Sequence, residues 1–392
     1  MTLTVLFDLD DTLLNTNVDV FFPEYFRALA NALPGQPSIK ELTRQLMFAE
    51  HKMSNNPDPG EKLSKIFSKN FYYSFGTTEE ACRDIIEKFY SEFHPTLQHL
   101  TKRKPGAREL VTWCQSHGMK LAIATNPVFP EAATRQRIQW AGFDPEEFAF
   151  FTNYDNSHFA KPSLSYYAEI LGRLGWPEAP VVMVGDDLHL DLLPTEKMGF
   201  STFWINSNGY GNHRPKGDLF DVKNFLEKQI KNNQFYISNQ PDVLIAILRS
   251  TPAVIDTWLH QYESDALTQK GSDKALSFVE VLGYMADLER AFFRPIWESL
   301  LTNPEEVINS PDPSIWSKEE YDREYNPKET YELFLSSRCK SLELIEALLS
   351  KSSLDLPVQH NRVGGTTLHK LVELSAKRDR IHLHRCANAL GI

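Results

Sequence analysis

Thr4-Val5-Leu6-Phe7-Asp8-Leu9-Asp10-Asp11-Thr12 decides how this chain is read. A short apolar run goes straight into a cluster of acids, the pattern of a buried parallel strand whose carboxyl end opens onto a site. Asp8 and Asp10 stand two positions apart at the start of a loop, where both carboxylates can face one reacting centre. One can attack while the other moves a proton. The same spacing also suits a capping or calcium-like acidic loop, so the rest of the chain has to decide between them.

Two further runs repeat the pattern. Leu121-Ala122-Ile123-Ala124 ends at Thr125-Asn126, and Val181-Val182-Met183-Val184 ends at Gly185-Asp186-Asp187, each after a helix-like segment. This βαβ rhythm predicts an α/β fold with a doubly wound parallel sheet. Between the first two strands lies an insertion from about 18 to 100, too long for a connecting loop and rich in helical patterning, which reads as a helical cap. Pro105-Gly106 then opens a helix that runs to His117-Gly118 and returns the chain to the sheet.

At 392 residues the chain exceeds one ordinary hydrophobic core, so two domains, or one domain with a large insertion, are expected. After Ile205 the composition turns to Asn206-Ser207-Asn208-Gly209-Tyr210-Gly211-Asn212, and the stretch 207–240, with little apolar periodicity beyond one short helix, reads as a linker. From there the chain reads all-α, with helices near 243–262, 275–301, 327–350 and 365–390. Four helices predict a bundle over 241–392.

A net charge of −11 and a pI near 5.6 argue against a nucleic-acid partner, which needs a positive face. Cys82, Cys114, Cys339 and Cys386 are widely spaced, so neither a disulfide framework nor a zinc knuckle is indicated and reduced thiols are expected. The N-terminus reaches Asp8 with no basic region and no long apolar stretch, which reads as a cytoplasmic protein without a membrane span.

Taken together, Asp8-Leu9-Asp10-Asp11-Thr12, the strand ending at Thr125, the Lys161-Pro162 pair and Gly185-Asp186-Asp187-Leu188-His189-Leu190-Asp191 resemble the four ordered motifs of the haloacid dehalogenase (HAD) superfamily of hydrolases. The resemblance covers about residues 1–206. It implies an HAD-type phosphatase that uses Mg²⁺. Asp8 would be the nucleophile that forms an aspartyl-phosphate, and Asp10 would protonate the leaving oxygen and then activate water. Thr125 and Asn126, with Lys161, would bind the phosphoryl group. Asp8, the Asp10 carbonyl and Asp186 would hold the metal, with Asp187 supporting its shell and Asp191 orienting the loop.

The second acid, Asp10, speaks against halide displacement. A phosphomutase uses the same acids and remains the neighbouring alternative. The cap resembles that of the subfamily acting on small phosphorylated metabolites, with Asn15, Phe21, Phe22 and His51 as candidate contacts that could equally be packing or surface residues.

Phe278 to Arg290, followed by Arg378-Asp379-Arg380-Ile381-His382-Leu383, resembles the DinB-like four-helix bundle family. Such bundles hold a divalent metal through a histidine on the second helix and an HxxxH pair on the fourth. Here those positions read Tyr284, Arg378 and His382, so the resemblance implies a bundle without its metal site. His369 falls about 220° around the helix from His382 and does not replace the missing ligand. Two rival readings are a scaffold whose working part is the bundle, and a thiol-dependent transferase; the intact acids of the first half and the missing histidines of the second speak against them.

Overall fold

β1 (Thr4–Phe7) is buried at every position because it is flanked on both edges: β4 (Lys120–Ile123) and β5 (Val181–Gly185) pair with it in parallel. β6 (Ser201–Ile205) and β7 (Lys216–Gly217) extend the sheet to the order β4-β1-β5-β6-β7, every pairing parallel. Phe7 lies opposite Ile123 on one side and Val184 on the other. The three central strands therefore end level, and the residues that follow them meet at one carboxyl edge. The chain leaves β1 for β4 on one side and returns to β5 on the other, which makes that edge the switch point where α/β sheets place their ligands.

This geometry comes from a computed structural model that describes residues 3–205, 214–232, 236–270, 276–311 and 326–392. By compactness the chain divides into two units, Met1–Tyr166 with Pro177–Ile237, and Tyr167–Trp176 with Ser238–Ile392.

In the first unit β2 (Leu14–Thr16) pairs antiparallel with β3 (Thr101–Arg103). The segment between them is helical: α1 (Val18–Ala32), α2 (Ile39–Ser54), α3 (Leu63–Phe71) and α4 (Glu79–Lys88), followed by irregular turns that end at Leu100. Capping is explicit, since the Ser38 and Thr78 hydroxyls accept from the Glu41 and Ala81 amides at the starts of α2 and α4. Aromatic packing ties this region to Trp140: Phe21 of α1 meets that ring edge-on and His94 lies flat on it.

The first unit also holds α5 (Ala107–Ser116), α6 (Glu131–Trp140) and α8 (Leu193–Met198), and α7 (Leu164–Arg173) begins in it and belongs to the second unit from Tyr167 on. Residues 216–232 fall inside the stretch expected to be a linker with one short helix; that helix is α9 (Leu219–Asn232), which follows β7 and packs on α5 and β6. Leu219, Val222 and Leu226 supply its buried stripe. The turn-rich run Asn206–Asn212 lies outside the described residues.

The second unit is helical. Its elements are α10 (Pro241–Gln261), α11 (Ser264–Thr268), α12 (Phe278–Leu288), α13 (Arg294–Thr302), α14 (Pro327–Lys351) and α15 (Leu368–Leu390), with a hairpin of β8 (Pro357–His360) and β9 (Gly364–Thr367). α10 and α12 each pack against both α14 and α15.

Two expected boundaries shift. The helix expected over 275–301 begins at Phe278, where Ser277 and Glu280 form a reciprocal cap, and is interrupted by a π-turn at Glu289–Phe293. The helix expected from 365 begins at Leu368, because Gly364–Thr367 pairs with β8 and Thr367 caps the helix. No helix among the described residues is long and apolar enough to cross a membrane.

Candidate active site at the carboxyl edge of the sheet

Asp8 follows β1 directly, and its amide still donates to the Val184 carbonyl at 2.9 Å, so the backbone is fixed by the sheet up to the acid itself. The chain then turns tightly. The Leu13 and Leu14 amides both donate to the Leu9 carbonyl at 2.9 Å, and Asp11 takes the left-handed conformation with φ of 55°. An aspartate tolerates that region better than most side chains. The Lys104 ammonium donates to the Asp11 carbonyl at 2.7 Å, and the Thr16 amide to its carboxylate at 3.2 Å, which completes the turn.

Lys161 is the pivot of the site. Its buried ammonium donates to Asp8 Oδ1 at 2.7 Å and to Asp191 Oδ1 at 2.6 Å. The second Asp191 oxygen accepts from the Asp187 amide at 3.1 Å. Asp191 comes this close only because residue 185 is glycine: a Cβ there would meet Asp191 Oδ2 at 2.3 Å. Asp186 stands at the end of β5, with its carbonyl bound by the Trp204 indole at 2.7 Å and its carboxylate 3.5 Å from the Thr12 hydroxyl.

One carboxylate oxygen from each of Asp8, Asp186 and Asp191 lies within 4.8 Å of the others. That proximity is costly without a cation. Burial drives Asp8 well above the ordinary carboxylate range, and the Asp191 and Asp186 charges add to it, so the Lys161 attraction is outweighed. Asp186 is pushed up to about 7 by burial and by the charges of Asp191 and Asp11. Clustered hard oxygens that hold protons against their chemistry are what a small divalent cation displaces. Asp191 already has both oxygens on protein donors, whereas Asp8 Oδ2 and the Asp186 carboxylate are less engaged, so those two fit as the ligands.

The remaining expected residues fall as follows. Asp10 Oδ1 accepts from the Thr16 hydroxyl at 3.0 Å and from Arg137, with which it forms an ion pair. The Asp187 carboxylate turns back on its own loop and caps the His189 and Leu190 amides at 2.7 and 2.8 Å. Thr125 is buried, and its carbonyl is held by Thr152 and Tyr166, each at 2.7 Å. Asn126 Oδ1 is buried without a partner. Of the cap candidates, Phe21 is buried, Phe22 stacks on Phe129, Asn15 pairs with Lys102 in β2–β3, and His51 is exposed.

Arg137 was not anticipated. A cation in Glu131-Ala132-Ala133-Thr134-Arg135-Gln136-Arg137-Ile138 reads as a solvated face. The available signal is its spacing: Arg137 falls four residues after Ala133 and three after Thr134, on the buried stripe of α6.

The sequence pattern of the haloacid dehalogenase-like hydrolases matches residues 2–199, half of the chain. The chain belongs to this family. Among curated relatives, a pyrophosphatase PpaX of Halalkalibacterium halodurans is 25% identical over 199 residues, which is 51% of this chain and 81% of that protein. The haloacid dehalogenase-like hydrolase domain-containing protein 3 of Xenopus laevis is 24% identical over 212 residues, 52% of this chain and 83% of that one. Among solved structures, an HAD phosphatase from Thermococcus onnurineus aligns with a TM-score of 0.39 at 22% identity, covering 58% of this chain and 98% of that one.

Proposed function

We propose that the first unit is a Mg²⁺-dependent phosphohydrolase that removes phosphate from a small phosphorylated metabolite through an aspartyl-phosphate on Asp8. The observation that carries this reading is Lys161 between Asp8 and Asp191 at the level end of the three central strands. A lysine there offsets the repulsion between a carboxylate nucleophile and the phosphate it attacks. Asp8 and Asp186 would hold a Mg²⁺, with the Asp10 carbonyl, and the bound ion would supply charge neutralisation at the phosphoryl oxygens.

The protein's own groups do the rest. An Asp8 oxygen attacks phosphorus and the bond to the leaving oxygen breaks, while the Asp10 carboxyl gives its proton to that oxygen. Asp10, now a carboxylate, takes a proton from water as the water oxygen attacks phosphorus, and the bond to Asp8 breaks to release phosphate. Thr125 and Asn126 bind the phosphoryl group beside Lys161, and Asp187 acts by fixing the loop that carries Asp186 and Asp191.

The second half we read as a four-helix bundle of α10, α12, α14 and α15, joined near residue 240, that resembles the DinB-like family but lacks its metal site. Tyr284 and His382 do face each other, with ring centroids 5.1 Å apart, but Arg378 is exposed.

Asp8→Asn keeps the shape of the side chain and cannot attack phosphorus, so phosphate release from any accepted monoester should fall to background with the thermal melt retained. EDTA should stop wild-type turnover and Mg²⁺ restore it. Release of inorganic phosphate in step with substrate loss separates hydrolysis from a mutase. Near-wild-type turnover in Asp8→Asn, or full activity in metal-free protein, contradicts the assignment.

A further inference from the structure

We propose that Arg137 is a positioning residue of this reaction: a buried guanidinium that fixes the carboxyl group of Asp10 so that one named oxygen carries the proton. The inference rests on the reading of Asp10 as the proton-transfer group.

The two members of the pair differ in setting. The Arg137 side chain is 3% exposed and that of Asp10 39%, so a fully enclosed cation holds an acid that stands at the mouth of the site. The guanidinium lies over the Phe21 ring at 4.9 Å and the Phe129 ring at 5.3 Å, contacts that favour a cation over an aromatic face. These rings come from different places, Phe21 from α1 and Phe129 from the loop after β4. One cation therefore reads the first cap helix, the Thr125 loop and the Asp10 turn together.

Only one of its three nitrogens bonds. Nη2 donates to Asp10 Oδ1 and, at 3.2 Å, to the Thr16 hydroxyl, while Nε and Nη1 are buried without a partner. Burying a guanidinium with unmet donors is unfavourable, and apolar residues of similar volume are commonly as stable or more so in such positions. Core stability alone does not account for an arginine here.

The bonding pattern supplies a reason. Thr16 Oγ1 and Arg137 Nη2 both donate to Asp10 Oδ1. With Oδ1 held by two donors, Oδ2 is the oxygen left to give a proton to the leaving group and to receive one from water. A carboxyl free to rotate would present either oxygen and lose the alignment that proton transfer needs. Arg137 touches no reacting atom in this scheme and acts through Asp10.

The consequence is specific to the leaving group. Departure of a weakly acidic alcohol or phenol depends on protonation, and departure of a strongly acidic phenol does not. In Arg137→Met, kcat/KM for phenyl phosphate, which reports departure of the leaving group and not the later hydrolysis common to both esters, should fall about 10- to 100-fold, with kcat/KM for 2,4-dinitrophenyl phosphate changed less than about threefold. Arg137→Lys, which restores one donor, should recover part of the loss. Thr16→Val removes the other donor to Oδ1 with little change of volume and should reproduce the selectivity more weakly, which keeps the test alive if Arg137→Met folds poorly. Equal losses of kcat/KM on both esters in Arg137→Met and Thr16→Val, or no loss in either, overturn the proposal. Asp10→Asn is the reference: equal losses of kcat/KM on both esters there mean that Asp10 is not the proton donor, and that result removes the reading of the reaction along with the inference. Selectivity in Asp10→Asn without selectivity at Arg137 removes the inference alone.

Discussion

Asp186 carries an electrostatic cost that a cation at this site would relieve. In an unfolded chain an aspartate loses its proton near pH 4, but burial and the charges of Asp191 and Asp11 push Asp186 up to about 7 in the fold. Between those values the folded state binds the proton and the unfolded state does not, so the contribution of Asp186 to stability falls as pH rises from about 4 to about 7. Asp8 shifts in the same direction, for burial first. In EDTA, the stability of Asp186→Asn minus that of wild type should therefore grow from pH 5 to pH 8, reaching about 1–3 kcal/mol. On the proposed reading Mg²⁺ would bind the charged carboxylates, so it should raise the wild-type melting temperature more at pH 8 than at pH 6. Thermal melts of the two proteins across that range check both statements, and a difference that stays flat with pH contradicts the assignment of repulsion to this acid.

At the scale of elements, Arg338 of α14 shows how the second unit tolerates a proline inside a helix. Pro252 of α10 has no N–H, which leaves the carbonyl four residues earlier without its helical donor. That carbonyl is Leu248, and Arg338 Nη1 donates to it at 2.9 Å. The same guanidinium gives two bonds to Glu289 at the π-turn after α12, at 2.9 and 2.6 Å, and is paired with Asp379 of α15. One side chain thus joins three other elements, with all three charged groups buried. Removing one partner of such a network leaves uncompensated charge, so Arg338→Met should cost about 3–5 kcal/mol in denaturant unfolding followed by tryptophan fluorescence. A loss below about 1 kcal/mol contradicts this account.

None of that network was legible in the sequence. A charged residue in an amphipathic helix reads as solvated, and Glu289, Arg338, Asp379 and Arg137 become central only through partners 41 to 127 residues away. Strand ends behave differently. Asp8, Thr125 and Asp186 each follow directly on an apolar run, so the chemistry and the element that positions it are neighbours in the chain, and the parallel register then makes them neighbours in space. The π-turn was hidden for a third reason: one extra residue in a helical turn leaves the apolar periodicity over 278–302 nearly unchanged. The one short helix expected in the stretch to Pro241 is α9, whose stripe of Leu219, Val222 and Leu226 stands out from polar, turn-rich surroundings.

Across the whole molecule the two units differ in how they treat their polar interiors, and that difference predicts where metal binds. The first gathers Asp8, Asp186 and Asp191 with carboxylate oxygens within 4.8 Å of one another. The second buries His382, whose ring nitrogens both lack partners and whose pKa is pushed down to about 3 by burial and by the nearby Arg385 and Arg378 charges. A neutral imidazole could serve as a ligand, but one nitrogen is not a site: a transition metal needs three or four donors, and the neighbouring ring is the Tyr284 phenol. The full chain should therefore bind one divalent cation, readable as one Mn²⁺ per chain by electron paramagnetic resonance titration. Asp186→Asn should abolish that binding and His382→Ala should leave it intact. Elemental analysis of the dialysed protein should find no stoichiometric nickel or zinc. A tightly held ion that survives Asp186→Asn and is lost on His382→Ala would place metal chemistry in the helical unit and refute its reading as a bundle without a metal site.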